Sequence, residues 1–463
     1  MQNYKKQFKE KKITVMGLGI LGRGLGYTKF LAECGANLIV TDLKTKKQLA
    51  TSVRALKKFS SIKFILGEHR LKDFKNRDMI IKSAGVPLDS IYIEEAQKNN
   101  HAKGRAGIPV EMDVSLFAKC APEVKIIGIT GTRGKSMVTA LVYEILKKNE
   151  KFLKKKVYIG GNVRGVATLP LLKKVKSSLP AGRQGDILVC ELDSWQLQGF
   201  GDSKMSPHIS VFTSFMPDHM NYYKNSMKKY FKDKANIFKY QKKNDVLIIR
   251  PGVKKLIPKN LKSKLIIVKS SNFQEENKAC AVAVAKQFNI PDSKITQALK
   301  NFKGLEGRLQ YVKTVKGVKI YNDNNATTPE ATMAGIEALS FPKDGLRGIS
   351  PKTVFGEINK NIVLICGGAD KKLLLDDFVK VVNKYCKAVI MIPGTGTDRL
   401  VSSGKVLVTS KYVKDLNEAV KEAMKQSKKG DTILFSPAFA SFGQFNNEYE
   451  RGDLFLKIIK KLK

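Results

Sequence analysis

An apolar run, Val124–Ile129, leads into Thr130-Gly131-Thr132-Arg133-Gly134-Lys135-Ser136 and then into a helical pattern over Met137–Leu146. Strand, glycine turn and a Lys-Ser pair opening a helix make a phosphate-binding loop, which fits a chain of α/β layers. The glycines let backbone N–H groups face an anion with no Cβ in the way, and the helix N-terminus adds the positive end of its dipole. Gly131, Thr132, Arg133, Gly134, Lys135 and Ser136 are therefore candidate ATP-binding residues. Lys135 can reach the β- and γ-phosphates, and the Ser136 hydroxyl can ligate Mg²⁺. The spacing is Gly-x-x-Gly-x-x-Gly-Lys-Ser, with Ile129 where the stricter Gly-x-x-x-x-Gly-Lys-Ser/Thr pattern has glycine. The competing reading is a plain glycine turn between strand and helix.

Short apolar runs alternate with helical patterns along the 463 residues, the signature of α/β layers with mostly parallel strands. Expected strands are Ile13–Gly17, Asn37–Thr41, Lys63–Leu66 and Met79–Ser83 in a first group. A second group holds Val124–Ile129, Ile187–Glu191, His208–Thr213, Val246–Ile249 and Leu265–Val268. A third holds Val318–Tyr321, Ile362–Cys366, Ala388–Ile392, Val406–Thr409 and Thr432–Phe435. This predicts three domains, 1–121, 122–307 and 308–463. Leu179–Gly185 and Phe341–Glu357 read as irregular insertions. No apolar run approaches the roughly 18 residues of a membrane span, and Met1–Lys12 is polar and basic, so neither a membrane partner nor export is expected. The six cysteines form no Cys-x-x-Cys pair and read as reduced thiols of a cytoplasmic protein.

Lysine and arginine outnumber the acids to give a net charge of +43. That balance raises nucleic-acid binding, but the lysines are scattered and no zinc-finger spacing or aromatic RNA-binding strand accompanies them. A solvated basic surface is the simpler reading, and nucleic acid is not expected as a partner. Gly17-Leu18-Gly19-Ile20-Leu21-Gly22, followed by Asp42, has the form of a dinucleotide fingerprint. With a second phosphate loop downstream, it reads more readily as a cradle for the diphosphate of a nucleotide-linked substrate than as an NAD site. Glu191 closes an apolar strand, and a carboxylate there, near a phosphate loop, is placed for Mg²⁺. His219 follows the strand ending at Thr213 and would share that edge. Tyr230–Phe238 reads as an ordinary amphipathic helix, on which Lys234 is expected at the surface.

Taken together, these residues resemble the Mur ligase family of ATP-dependent amide-forming ligases. The resemblance rests on Gly128–Ser136, Gly160-Gly161-Asn162, Glu191–Leu197, Asp218-His219-Met220, Lys234, Asn277, Gly307-Arg308 and Asn322-Asp323. Gly17-Leu18-Gly19, Asn322–Thr332 and Ser436–Phe445 with Glu450-Arg451-Gly452 are similar to the members that add D-glutamate. The Asp-Asn-Pro-Arg signature of members adding diaminopimelate or lysine is absent.

The resemblance implies a Rossmann-like N-terminal domain, a central P-loop ATPase domain with a mostly parallel sheet, and a Rossmann-like C-terminal domain. It implies ATP, two Mg²⁺ ions, UDP-N-acetylmuramoyl-L-alanine and D-glutamate as the molecules bound, and a monomer. Lys135, Glu191, His219 and Lys234 would be catalytic. Ser136, Glu191, His219 and Lys234 would serve the metal, the lysine as its carbamate. Asn277, Arg308 and Asp323 match positions that touch adenine, phosphate and ribose. Ile20, Leu21, Asp42, Lys44, Ser83 and Asn162 match the UDP-substrate positions, and Thr327, Lys371, Ser441 and Phe442 those around the incoming amino acid. Three positions depart from familiar members: Asn325 replaces a lysine, Asp193 a serine and Pro217 an acidic residue. The alternatives are a Mur-type ligase for another amino acid, a basic P-loop ATPase acting on nucleic acid, and an NAD-dependent oxidoreductase.

Overall fold

The computed structural model describes residues 3–87, 89–101, 107–175, 185–269, 273–340, 360–445 and 447–462. Apart from Gly185, the insertions expected at Leu179–Gly185 and Phe341–Glu357 lie outside the described residues. The chain divides into two compact units, Met1–Phe302 and Lys303–Lys463.

The first unit holds two parallel sheets. One is built from β1 (Lys12–Met16), β2 (Asn37–Asp42), β3 (Ile62–Leu66), β4 (Met79–Lys82) and β5 (Val110–Glu111), in the order β3-β2-β1-β4-β5. The other is built from β6 (Lys125–Thr130), β7 (Val157–Gly161), β8 (Ile187–Glu191), β9 (Ile209–Phe212), β10 (Val246–Ile249) and β11 (Lys264–Ile267), in the order β11-β10-β9-β6-β8-β7. β6 lies between β8 and β9, all three parallel, so the order reverses there and the loops after these strands open at one edge. Ligands bind at such a reversal in open α/β sheets. Every residue of β8 is buried, as an apolar run at the centre of a parallel sheet requires. In helix Lys135–Lys148, Val138, Leu141, Val142, Ile145 and Leu146 fall at three- and four-residue spacings and are all buried on one face.

Beside cores confined to one sheet each, around Val138 and Val189 and around Phe74 and Ile80, one hydrophobic core runs through both sheets of this unit, from Ile13, Val15 and Phe30 to Leu188, Leu197 and Leu247. Polar ties reinforce it. The buried carboxylate of Asp113 accepts from Thr168 N and Leu169 N, both at 2.7 Å, and so anchors the turn Leu169–Lys173. Lys82 Nζ donates to Gln198 Oε1 at 2.9 Å.

The second unit is one sheet of β12 (Gln310–Val315), β13 (Val318–Asn322), β14 (Ile362–Gly367), β15 (Cys386–Ile392), β16 (Thr409–Tyr412) and β17 (Thr432–Phe435). Its order is β12-β13-β17-β14-β15-β16, with β12 antiparallel to β13 and the other pairs parallel. It carries two cores, one around Ile320, Ile390 and Phe435 and one around Leu364, Phe378 and Leu434.

The strand expected at Val406–Thr409 is displaced. Leu407 is 82% exposed, and the pairing to β15 begins at Thr409, so the edge strand is the polar segment that follows the apolar one. All six cysteines are free thiols, and burial raises Cys34 to about 11 and Cys366 to about 12. Among the described residues no helix is long and apolar enough to cross a membrane.

Candidate active site

The phosphate loop turns between β6 and helix Lys135–Lys148 against the loop that follows β9. Thr132 N donates to Ser214 O and Arg133 N to Ser214 Oγ, both at 2.8 Å. Gly131 has φ +142°, and a Cβ there would lie 2.0 Å from Thr213 Oγ1. Gly134 has φ +89°, and a Cβ there would meet Asn277 Oδ1 at 2.8 Å and Arg250 Nη2 at 3.0 Å. Side chains larger than hydrogen are excluded at both positions by sterics and by backbone conformation. Lys135 Nζ curls over the loop and donates to Gly131 O at 2.9 Å and Thr132 O at 3.1 Å. Ser136 follows in the first helical turn. Arg250, buried at the end of β10, donates to Asn277 Oδ1 and pairs with Glu276 at 3.4 Å. It borders the loop beside Asn277 and has no counterpart among the expected residues, although its place at a strand end is the signal that singled out Glu191.

Lys234 is the largest departure from expectation. It is 1% exposed, not on the surface. Helix Met227–Ala235 buries Tyr230 and Lys234, four residues apart and so on the same face. The Lys234 ammonium lies 5.0 Å from the Tyr230 ring centroid and donates to Gly131 O at 3.0 Å. Burial, with the Lys135 charge acting in the same direction, pulls its pKa down to about 7. Asp193, Asp218 and Glu191 oppose that shift. Glu191 is buried at the end of β8. His219, at φ +54°, packs against Trp195 with centroids 4.6 Å apart and the rings tilted by 50°, and burial lowers its pKa. Lys135 and Lys234 lower it further, so these side chains form one electrostatic group around the loop. Asp193 caps helix Ser194–Asp202 by accepting from Gln196 N at 2.8 Å, a role that serine fills equally well.

Among the described residues no three His, Cys, Asp or Glu side chains are grouped to hold a metal by themselves. Mg²⁺ commonly takes one or two protein carboxylates, with phosphate oxygens and water completing its shell. Glu191 and the Ser136 hydroxyl fit that pattern as oxygen donors, and His219 would add a nitrogen donor to it. A protonated Lys234 would repel the ion, whereas an anionic carbamate would attract it, and the depressed pKa supplies the neutral amine that reacts with CO₂.

The first unit also encloses a cavity of about 900 Å³, bordered by Ile20, Leu21, Asp42, Lys44, Ser83 and Asn162. Every UDP-substrate position implied by the resemblance therefore lines one space. Asp42 accepts from Gly19 N and Lys44 N, both at 2.8 Å, tying the phosphate turn to the turn after β2. Arg23 also borders the cavity and was not expected. Its Nη2 donates to Asn162 Oδ1 at 2.7 Å, and Asn162 N donates to Glu191 O at 2.7 Å. This places a short polar chain between the cavity and the Glu191 strand end.

In the second unit Asp323 accepts from Leu309 N at 2.9 Å and Ser436 Oγ at 2.8 Å, and burial raises it to about 6. Arg308 is exposed beside Leu309. Lys371 Nζ donates to Thr327 Oγ1 at 2.9 Å. Ala369 and Ala440 exchange backbone hydrogen bonds of 2.9 and 3.1 Å, which bring the loop of Lys371 to that of Ser441 and Phe442. Asn325 Nδ2 donates to Glu306 O at 3.1 Å and its backbone N to Gly307 O at 2.9 Å.

Fully buried Arg451 holds these loops together: Nε donates to Asn324 Oδ1 at 2.9 Å and Nη1 to Phe439 O at 3.3 Å. Arg451→Met removes these donors and strands buried acceptors. It should destabilise the unit by about 3 kcal/mol in denaturant unfolding and raise KM for the incoming amino acid.

Residues 11–102 match the Mur ligase MurD-like N-terminal domain, 129–325 the Mur ligase middle domain and 307–439 the glutamate ligase domain of Mur ligases. The UDP-N-acetylmuramoylalanine–D-glutamate ligase of Borreliella afzelii (strain PKo) is 33% identical over 492 residues, covering 98% of this chain and 99% of the relative. Its namesake from Roseiflexus sp. (strain RS-1) is 30% identical over 503 residues, covering 98% and 99%. Among solved structures, the UDP-N-acetylmuramate-alanine ligase of Thermotoga maritima superposes with TM-score 0.59 at 17% identity, covering 98% of this chain and 100% of that one. The MurF ligase of Thermotoga maritima in complex with ADP gives 0.53 at 15% identity, covering 99% and 96%. With its sheets, its phosphate loop and its near full-length relatives in agreement, the chain belongs to the Mur ligase family and is an ATP-dependent, amide-forming ligase.

Proposed function

We propose that the protein joins D-glutamate to UDP-N-acetylmuramoyl-L-alanine in the cytoplasm, as a monomer, in building a peptidoglycan precursor. Residues 1–121 bind the UDP-substrate, 122–307 bind ATP and 308–463 bind the amino acid. The observation that carries this reading is the grouping of the phosphate loop with Glu191, His219 and Lys234 in the same unit as the UDP-type cavity. The nucleic-acid ATPase and oxidoreductase readings fall away with family membership.

A carboxylate is a poor electrophile, and phosphorylation gives it a leaving group. The γ-phosphoryl group of ATP passes to the L-alanyl carboxylate, forming an acyl phosphate and ADP. The D-glutamate amine adds to the acyl carbon, loses a proton and expels phosphate, leaving the amide. Lys135 and the loop N–H groups hold the β- and γ-phosphates and neutralise the charge that develops there. Asn277, Arg308 and Asp323 hold the nucleoside and phosphate of ATP. Thr327, Lys371, Ser441 and Phe442 position the D-glutamate, and Asn162 the UDP-substrate. Ser136 and Glu191 would hold one Mg²⁺ and Glu191, His219 and carbamylated Lys234 a second, and the ions would supply further charge neutralisation.

The test is phosphate release from ATP and Mg²⁺ with UDP-N-acetylmuramoyl-L-alanine across a panel of D- and L-amino acids. Release that depends on D-glutamate, with the matching amide, is the expected result. Release with another amino acid instead would keep the mechanism and overturn the D-glutamate specificity, the point on which the Asn325 departure bears. Absence of substrate-dependent release from folded, ATP-binding protein would overturn the reading.

A further inference from the structure

The ring of His69 is gripped beside the cavity of the first unit, which it borders. Its Nδ1 lies 2.7 Å from Thr41 Oγ1, and it meets the rings of Tyr92 and Phe74 edge to face, with centroids 5.2 and 6.4 Å away. Thr41 Oγ1 also donates to Glu68 O at 2.9 Å. A carbonyl oxygen only accepts, and a hydroxyl has one proton to give. Thr41 therefore spends its proton on Glu68 and accepts from His69, which places the ring proton on Nδ1. The neutral ring then presents Nε2 as an acceptor, and among the described residues Nε2 has no protein partner.

The charged groups on the packed elements leave this state in place. Asp42 is the carboxylate that acts on the ring, and burial outweighs it, so the pKa falls below the ordinary 6.5. Both oxygens of Asp42 are already bound to Gly19 N and Lys44 N. Arg70 pairs with Asp73 at 2.7 Å, Glu95 with Lys75 at 2.8 Å and Glu94 with Lys98 at 3.6 Å. Glu68 contributes its backbone carbonyl to the Thr41 bond.

We propose that His69 selects the nucleobase of the substrate, its Nε2 accepting a hydrogen bond from the imide N3–H of uracil. The proposal rests on the reading of this cavity as the UDP-substrate site and deepens it. Uracil carries a proton at N3, where cytosine has a lone pair. A neutral Nε2 therefore attracts the first base and repels the second. A protonated ring reverses the preference, because Nε2–H donates to cytosine N3.

The test is calorimetric binding of UDP and CDP to the full chain at pH values of about 8 and about 5.5. The two ligands share a diphosphate, so its own titration cancels in their ratio. Wild-type protein should prefer UDP about tenfold at the higher pH, the scale of one donor left unpaired, and the preference should be no larger at the lower pH, declining only as the ring protonates below the ordinary histidine value. His69→Phe should bind both ligands with nearly equal affinity at both pH values. His69→Gln offers an amide oxygen that does not titrate, so it should keep the preference at both, and it serves if the phenylalanine variant does not fold. An unchanged ratio in His69→Phe, or a ratio in His69→Gln that still falls with pH, would overturn the role of His69. Failure of folded wild-type protein to bind either nucleotide would overturn the underlying site reading, and the proposal with it.

Discussion

Lys135→Ala should lower kcat about a thousandfold, roughly 4 kcal/mol of transition-state stabilisation, with a smaller rise in KM for ATP. The asymmetry follows from where the charge develops. On the proposed reading the ammonium would meet the β- and γ-phosphates in the bound state, and the demand on it would grow as the phosphoryl group transfers. Lys135 also bridges Gly131 O and Thr132 O across the loop, so part of the loss reflects a loop that no longer holds its N–H groups in place. Lys135→Arg tests this point: it retains the charge, yet its planar fork cannot reproduce a compact ammonium seated on two carbonyls. It should recover little of the activity. Steady-state kinetics with Tm as the folding control would check both variants, and an alanine variant with near wild-type kcat would exclude the assigned role.

The second large effect separates stability from activity. Lys234 has a folded-state pKa of about 7, below that of a free lysine. Between these values the unfolded chain holds the proton and the folded chain does not, so this group's contribution to stability rises with pH across that window. At neutral pH and below, the buried amine opposes folding. Lys234→Met removes that penalty and should leave the protein at least as stable at pH 7, while kcat falls by about a thousandfold. A residue kept for packing alone would show the reverse. If the neutral amine becomes a carbamate, wild-type activity should fall in CO₂-stripped buffer and return with bicarbonate, whereas the methionine variant should not respond. At fixed dissolved CO₂ the uncharged fraction climbs from about a tenth at pH 6 to about nine tenths at pH 8, and the initial carbamylation rate should climb with it. Stopped assays after CO₂ addition would measure this.

What could be read from the sequence was what lies close together along the chain. The phosphate loop is one strand, one turn and one helix, and every part of its signal falls within Val124–Leu146. Glu191 and His219 were legible because they end or follow apolar strands, and strand ends in a parallel sheet converge on one edge. Lys234 was legible only through family resemblance, because its burial depends on the loop 100 residues away that packs over its helix face. Arg23, His69 and Arg250 escaped for the same reason: each is defined by partners brought in from distant parts of the chain, the turn after β7, β2 and helix Phe273–Lys286. Three strands were missed. β5 has two residues, β7 ends in two glycines, and β12 is a polar edge strand that pairs antiparallel, so none shows a sustained apolar run.

The core shared by the first two sheets bears on how this enzyme can diversify. A crossover near residue 121 would part Phe30 and Val114 from Leu188 and Leu197, and Asp113 from its two amide donors. On the proposed assignment, nucleotide-sugar recognition and the phosphate loop are thus inherited as a block, and a recombinant that exchanged one sheet without the other would inherit mismatched halves of one interior. The second unit keeps its cores to itself. On the same assignment, exchange of that unit would alter the amino-acid positions and leave the interior of the first two sheets intact, with Arg308 and Asp323 travelling along as the part of the ATP site that it carries.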